Sequence, residues 1–85
     1  MNSKQAKTLE ALFAEPIRTN IHYRDLESLF IGLGAEVYPN RKGSRVAVVL
    51  NGCKYTYHRP HPENEIGRKT VKDVRDFLIA AGIQP

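Results

Sequence analysis

Hydrophobic positions in this chain recur at two different periods. Ala6, Leu9, Leu12 and Phe13 fall at helical spacing, which predicts a helix from Ser3 to about Ala14 with Ser3 as its cap. Pro16 ends it, because proline disfavours a helical residue before it. Ile17-Arg18-Thr19-Asn20 is a linker. Leu26, Leu29, Phe30 and Leu33 then follow an i, i+3, i+4, i+7 stripe, predicting a second helix from about His22 or Tyr23 to Leu33. His22 belongs to its cap region. Asp25 and Glu27 lie near the positive end of the helix, where acids are favoured. Gly32 and Gly34 stop it, with Gly34 as the left-handed terminator.

The period then drops to two. Ala35 to about Asn40 reads as a first strand with Val37 inward, and Pro39 marks an edge position or an early end. Asn40-Arg41-Lys42-Gly43 is a turn. Val46, Val48 and Leu50 alternate with Arg45, Ala47 and Val49, and Cys53, Tyr55 and Tyr57 alternate with Lys54, Thr56 and His58. Between the two runs stands Asn51-Gly52, which favours a two-residue hairpin turn because both residues accept positive φ. That turn sets the register: Leu50 faces Cys53, Val48 faces Tyr55, and Val46 faces Tyr57, all on the core side. The other face pairs Val49 with Lys54, Ala47 with Thr56, and Arg45 with His58. A slip of one residue would exchange the faces.

Arg59 to Lys69 reads as loop, with Pro60 and Pro62 holding His61 in an extended segment. A last helix is expected after Thr70 as N-cap, running to about Ala81 and closed by Gly82. Val71, Val74, Phe77, Leu78 and Ala81 form its stripe. The order is therefore α-α-β-β-β-α. Its simplest packing is an α+β fold, a three-stranded antiparallel sheet with helices on one face.

Eighty-five residues, 41% hydrophobic and 26% charged, suit one small globular domain. A single cysteine makes no internal disulfide, so Cys53 is expected as a small buried residue in a reducing compartment. No apolar run is long enough to span a bilayer, and Met1-Asn2-Ser3-Lys4-Gln5 lacks the apolar segment of a signal peptide. The cytoplasm is the expected location.

The net charge of +4 is concentrated in the middle of the chain. Arg41, Lys42, Arg45, Lys54, Arg59, Arg68, Lys69 and Lys72 are opposed there only by Glu63 and Glu65. A basic stretch on a small domain points to a polyanion, nucleic acid first, against the plain alternative of a solvated basic surface. His58 and His61 stand three apart, but no third zinc ligand is evident, and Cys53 is placed on the opposite face from His58. No metal and no small-molecule cofactor are expected. Tyr55 and Tyr57 are read as packing, and Tyr23 and Tyr38 carry no assignment.

Lys42-Gly43-Ser44-Arg45, the hairpin, His61-Pro62, and a helix opening at Thr70-Val71 and closing at Ala81-Gly82-Ile83 resemble the HicA family. Its members are small bacterial toxins of toxin–antitoxin pairs that act as mRNA interferases. The resemblance covers about Tyr23 to Ile83. It implies a fold similar to a double-stranded-RNA-binding domain, α-β-β-β-α, within residues 22–85, with residues 1–21 as an added N-terminal helix and linker. It also implies mRNA as target and a HicB-like antitoxin as partner. The family usually reads Gly-Ser-His where this chain has Gly43-Ser44-Arg45, so the histidine taken as catalytic in the family has no counterpart at position 45.

Metal-independent RNA cleavage needs a base for the 2′-hydroxyl proton, stabilisation of the charge on phosphate, and an acid for the leaving oxygen. Arginine grips phosphate but is far too weak an acid to serve as base. Histidine titrates near neutral pH. The expected catalytic pair is Arg45, binding and polarising phosphate, with His58 moving the proton. Arg41, Lys42, Ser44, Lys54, Arg59 and His61 are the expected RNA contacts. Two alternatives stay open: an RNA-binding module without cleavage, and a protein-interaction or antitoxin-like domain that has lost RNA cleavage.

Overall fold

The computed structural model describes residues 1–40 and 42–85. Three helices, α1 (Ser3–Leu12), α2 (Tyr23–Gly32) and α3 (Arg68–Ala80), accompany three strands, β1 (Glu36–Pro39), β2 (Arg45–Leu50) and β3 (Cys53–His58). The sheet is antiparallel in the order β1-β2-β3. The hairpin register is the expected one throughout, from Leu50↔Cys53 to Arg45↔His58. Asn51 and Gly52 both take positive φ, at 50° and 81°, as this turn requires.

Alternation along the strands separates two faces. Val46, Val48, Leu50 and Tyr57 are buried with Leu26, Leu29 and Phe30 of α2 and Val71, Val74, Phe77 and Leu78 of α3. Phe77 meets Phe30 edge-on at 5.9 Å and stacks on Tyr55 at 5.5 Å. The two hairpin tyrosines are therefore packing residues, and burial, helped by the Asp73 carboxylate, pushes the Tyr55 hydroxyl up to about 12. On the other face Glu36, Tyr38, Arg45, Lys54, Thr56 and His58 are exposed.

Helix α1 lies on α2 and α3 and is fastened at both ends. Asn2, rather than Ser3, caps it in a reciprocal box with Gln5, because the Asn2 side chain reaches the free amide of Gln5. The Gln5 side-chain Nε2 also donates to the Ser28 carbonyl at 2.8 Å and to Ser28 Oγ at 3.1 Å. A Cβ at Gly32 would stand 2.5 Å from Gln5 Oε1, so Gly32 gives α1 room as well as ending α2. At the far end Arg75 of α3 donates to the carbonyls of Leu12 and Ala14 and to the Glu15 carboxylate. With the Arg75 side chain only 15% exposed, Arg75→Ala is expected to cost about 2–3 kcal/mol, since two carbonyls and a carboxylate lose one charged donor. Arg75→Lys should restore only part of this, lacking the planar fork. Urea unfolding of the three proteins checks both expectations.

Three expectations need correction. Helix α3 starts at Arg68 with Gly67 as N-cap and no side-chain cap bond, so Thr70 lies inside its first turn. The segment from Arg59 to Lys69 is not all surface loop. Ile66 is 1% exposed, its amide donates to the Ile21 carbonyl at 2.8 Å, and the Tyr23 amide donates to the Asn64 carbonyl at 2.9 Å. This short antiparallel contact, which also bridges His22 and Glu65, draws Ile66 into the core and lets the helix begin three residues early. Cys53 is half-buried rather than buried, because it lies beside the hairpin turn. Its thiol points at the Ala80 carbonyl at 3.6 Å, next to Asn51 Nδ2, which donates to the Ala81 carbonyl at 2.8 Å.

Candidate nucleic-acid interface

The open face of the sheet is built in cross-strand rows. Arg45 stands opposite His58, and the Asn40 amide donates to the Arg45 carbonyl at 2.8 Å. The next row is Tyr38, Ala47 and Thr56, and the third is Glu36, Val49 and Lys54. Arg45, Lys54 and His58 are exposed on this face.

Ser44 precedes the strand, and its carbonyl accepts from the Arg59 amide at 2.8 Å, which extends the ladder one step beyond the Arg45–His58 pair. Ser44 Oγ lies 3.4 Å from His58 Nδ1, a long contact for a hydrogen bond. In the tautomer with hydrogen on Nδ1, that hydrogen faces the serine oxygen and Nε2 keeps its lone pair for a proton. Ser44, expected as an RNA contact, is brought beside His58 by this ladder.

Lys42 is exposed in the turn before β2, its amide donating to Asn40 Oδ1 at 3.0 Å. Arg41, expected among the RNA contacts, lies outside the described residues. His61 is exposed beyond the end of β3, in a loop pinned at its far side by Ile66. Among the described residues no group of three or more His, Cys, Asp or Glu side chains is placed to hold a metal ion.

Arg59 turns the other way. Its Nε and Nη2 donate to the two oxygens of Glu27 at 2.9 and 2.8 Å, and the guanidinium lies 5.5 Å from the Tyr23 ring centroid. The Tyr57 hydroxyl donates to the same carboxylate at 2.6 Å. Burial works against the Glu27 charge, but the Arg59 and Tyr57 bonds outweigh it and its pKa is lowered. Tyr57, desolvated and bonded to that carboxylate, is shifted upward. Glu27 thus ties the end of β3 to α2 directly behind His58. Sequence reasoning missed this use of Glu27. The signal available was an odd-position residue, Arg59, following a strand whose odd positions face the core.

The domain is a small α+β fold with its helices behind the sheet and Arg45, Lys54 and His58 exposed on the open face. Residues 23–83 match the model of a protein family described as HicA toxin of bacterial toxin–antitoxin. The chain belongs to that family, and its core is the family's double-stranded-RNA-binding-domain-like fold, with α1 preceding the matched residues. Neither the search of curated proteins nor that of solved structures gives a match. Membership places the chain among the toxins of toxin–antitoxin systems, which implies an antitoxin partner. Among the described residues no helix is long and apolar enough to cross a membrane.

Proposed function

We propose that the protein is a metal-independent endoribonuclease toxin that cuts mRNA in the cytoplasm, and that a HicB-like antitoxin restrains it by covering the open face and the His61 loop. The observation that carries this reading is the cross-strand pair of Arg45 and His58, exposed together on a basic sheet face. Arg45 binds the scissile phosphate through its fork of donors and offsets the charge that grows there. His58 takes the 2′-hydroxyl proton as the 2′-oxygen bonds to phosphorus. The P–O5′ bond breaks, and the imidazolium returns the proton to the departing 5′-oxygen. The products are a 2′,3′-cyclic phosphate and a 5′-hydroxyl end. Ser44 steadies the imidazole from its Nδ1 side. Lys42, Lys54, His61 and Arg41 hold the RNA backbone, while Arg59, committed to Glu27, supports the strand end and reaches RNA only with its remaining donors.

Arginine at position 45, where the family usually has histidine, specifically favours a second reading: RNA binding without cleavage. Incubating a purified transcript with the protein in EDTA separates the two. Cuts with the stated end groups are expected, and an intact transcript under conditions of salt-sensitive binding would establish the second reading. In either case Arg45→Ala should weaken binding across RNA sequences and reduce the slope of log affinity against log salt by about one, the signature of one lost phosphate contact. Filter binding at several salt concentrations measures it.

A further inference from the structure

Tyr38 takes no part in the proton transfer or the phosphate contacts, yet it stands in the row beside them. Among the described residues it is the one large apolar side chain exposed on the open sheet face, at 55% exposure. It pairs with Ala47 on the edge strand, which puts it diagonal to Arg45. Such diagonal neighbours are separated by about 7–8 Å and remain within reach of long side chains. Its neighbour across the row is the small side chain of Ala47, with Thr56 beyond, so the ring is not overtopped from that side. The Tyr38 hydroxyl donates to Glu36 Oε2 at 2.5 Å, which restrains the ring while the residue stays more than half exposed. The Glu36 carboxylate lies at the end of the face away from Arg45 and His58, in the row that also contains Lys54.

We propose that Tyr38 is the base platform of an RNA subsite: the base of the nucleotide whose phosphate sits at Arg45 and His58 stacks on the Tyr38 ring. This rests on the reading of the open face as an RNA surface. The diagonal from Tyr38 to Arg45 spans roughly 7–8 Å, the scale that separates a nucleotide's phosphate from its own base. Charge decides the occupant. An exposed aromatic ring on the sheet face that carries Arg45, His58 and Lys54 suits a single-stranded nucleic acid, whose bases stack on the ring while the cations track its backbone. The platform acts on unpaired nucleotides, so the subsite selects single-stranded over duplex RNA.

The chain contains no tryptophan, so Tyr38→Trp provides a single fluorescent reporter at the proposed contact. The probe is a single-stranded RNA oligonucleotide carrying 2′-O-methyl groups, which cannot be cut through the 2′-oxygen. Saturation with it should quench the tryptophan emission, and Tyr38→Phe should bind it as the parent does, because the ring face is kept. Tyr38→Ala should bind it roughly 5- to 100-fold more weakly, the range for losing one stacked base. Emission that stays unchanged while the RNA demonstrably binds would overturn the platform and leave the Arg45–His58 reading standing. So would parent-like affinity in Tyr38→Ala, or quenching by a purified antitoxin but not by RNA. Quenching by RNA in a protein that cuts no transcript would support the platform and remove the nuclease reading. Failure of the parent to bind RNA at all would overturn both.

Discussion

His58→Ala is expected to slow transcript cleavage by about 10²- to 10⁴-fold, the usual contribution of a positioned general acid–base group. His58 lies at the end of β3 with its side chain on the exposed face, so truncation opens no cavity in the core and the melting temperature should hardly move. RNA affinity should also hold, since the charge of Arg45 and Lys54 remains. Single-turnover cleavage alongside filter binding reads the two effects separately. Cleavage at the parent's rate would remove His58 from the chemistry, and a loss shared equally by rate and affinity would make it a binding residue. His61→Ala, on the exposed loop, should change the rate far less.

Glu27→Ala carries a large expected loss of stability. The carboxylate is 15% exposed and its Arg59 partner 34%. It accepts three hydrogen bonds, two from Arg59 and one from Tyr57. Removing it leaves a buried tyrosine hydroxyl and a guanidinium without their acceptor. Breaking a fully buried pair from one side typically costs several kcal/mol, and the partial exposure of Arg59 reduces this to about 2–3 kcal/mol. For a chain of this size that corresponds to a melting temperature lower by roughly 10–20 °C. Tyr57→Phe, which leaves the ion pair intact, should cost about 1 kcal/mol. The pH dependence follows from the lowered pKa of Glu27. The folded state holds its proton less tightly than the unfolded chain, so the contribution is fully present above the ordinary carboxylate range. It is lost as pH falls through that range toward the folded value. Glu27→Gln should therefore flatten the acid limb of the stability curve, measured by urea unfolding between neutral and acidic pH.

Local chemistry made much of this fold readable. Asn51-Gly52 allows one tight turn, and that turn fixes the pairing of every residue from Arg45 to His58. The stripes of α2 and α3 point to their buried faces, and Gly34 ends its helix with φ of 87°. The side-by-side placement of Arg45 and His58 follows from register alone. What the chain did not disclose depends on contacts between distant segments. Ile66 gives no periodic signal, because a single buried residue in a loop belongs to no stripe, and its position is explained by the short antiparallel contact of residues 64–66 with residues 21–23. Glu27 looks like an ordinary acid near a helix start until Arg59 and Tyr57 arrive from β3. Arg75 resembles any exposed helix cation, yet it closes the end of α1. The start of α3 was displaced for the same reason. Thr70 is a good cap by propensity, but the burial of Ile66 decides where the helix begins.

The support behind the site gives α1 a physical place in the molecule. It is held to α2 through Gln5 and through the ion pair of Lys4 with Asp25 at 3.3 Å, and to α3 through Arg75. These contacts lie on the helical side and leave the sheet face uncovered, so RNA and an antitoxin compete for the same surface in the proposed scheme.

The most direct test of the central claim is a double-mutant cycle on cleavage of one purified transcript, using the parent, Arg45→Ala, His58→Ala and the double variant. Groups that act on one phosphate as a unit give non-additive losses, so the double variant should be little slower than His58→Ala alone. Losses that simply multiply, or full activity in either single variant, would contradict a shared site at Arg45 and His58.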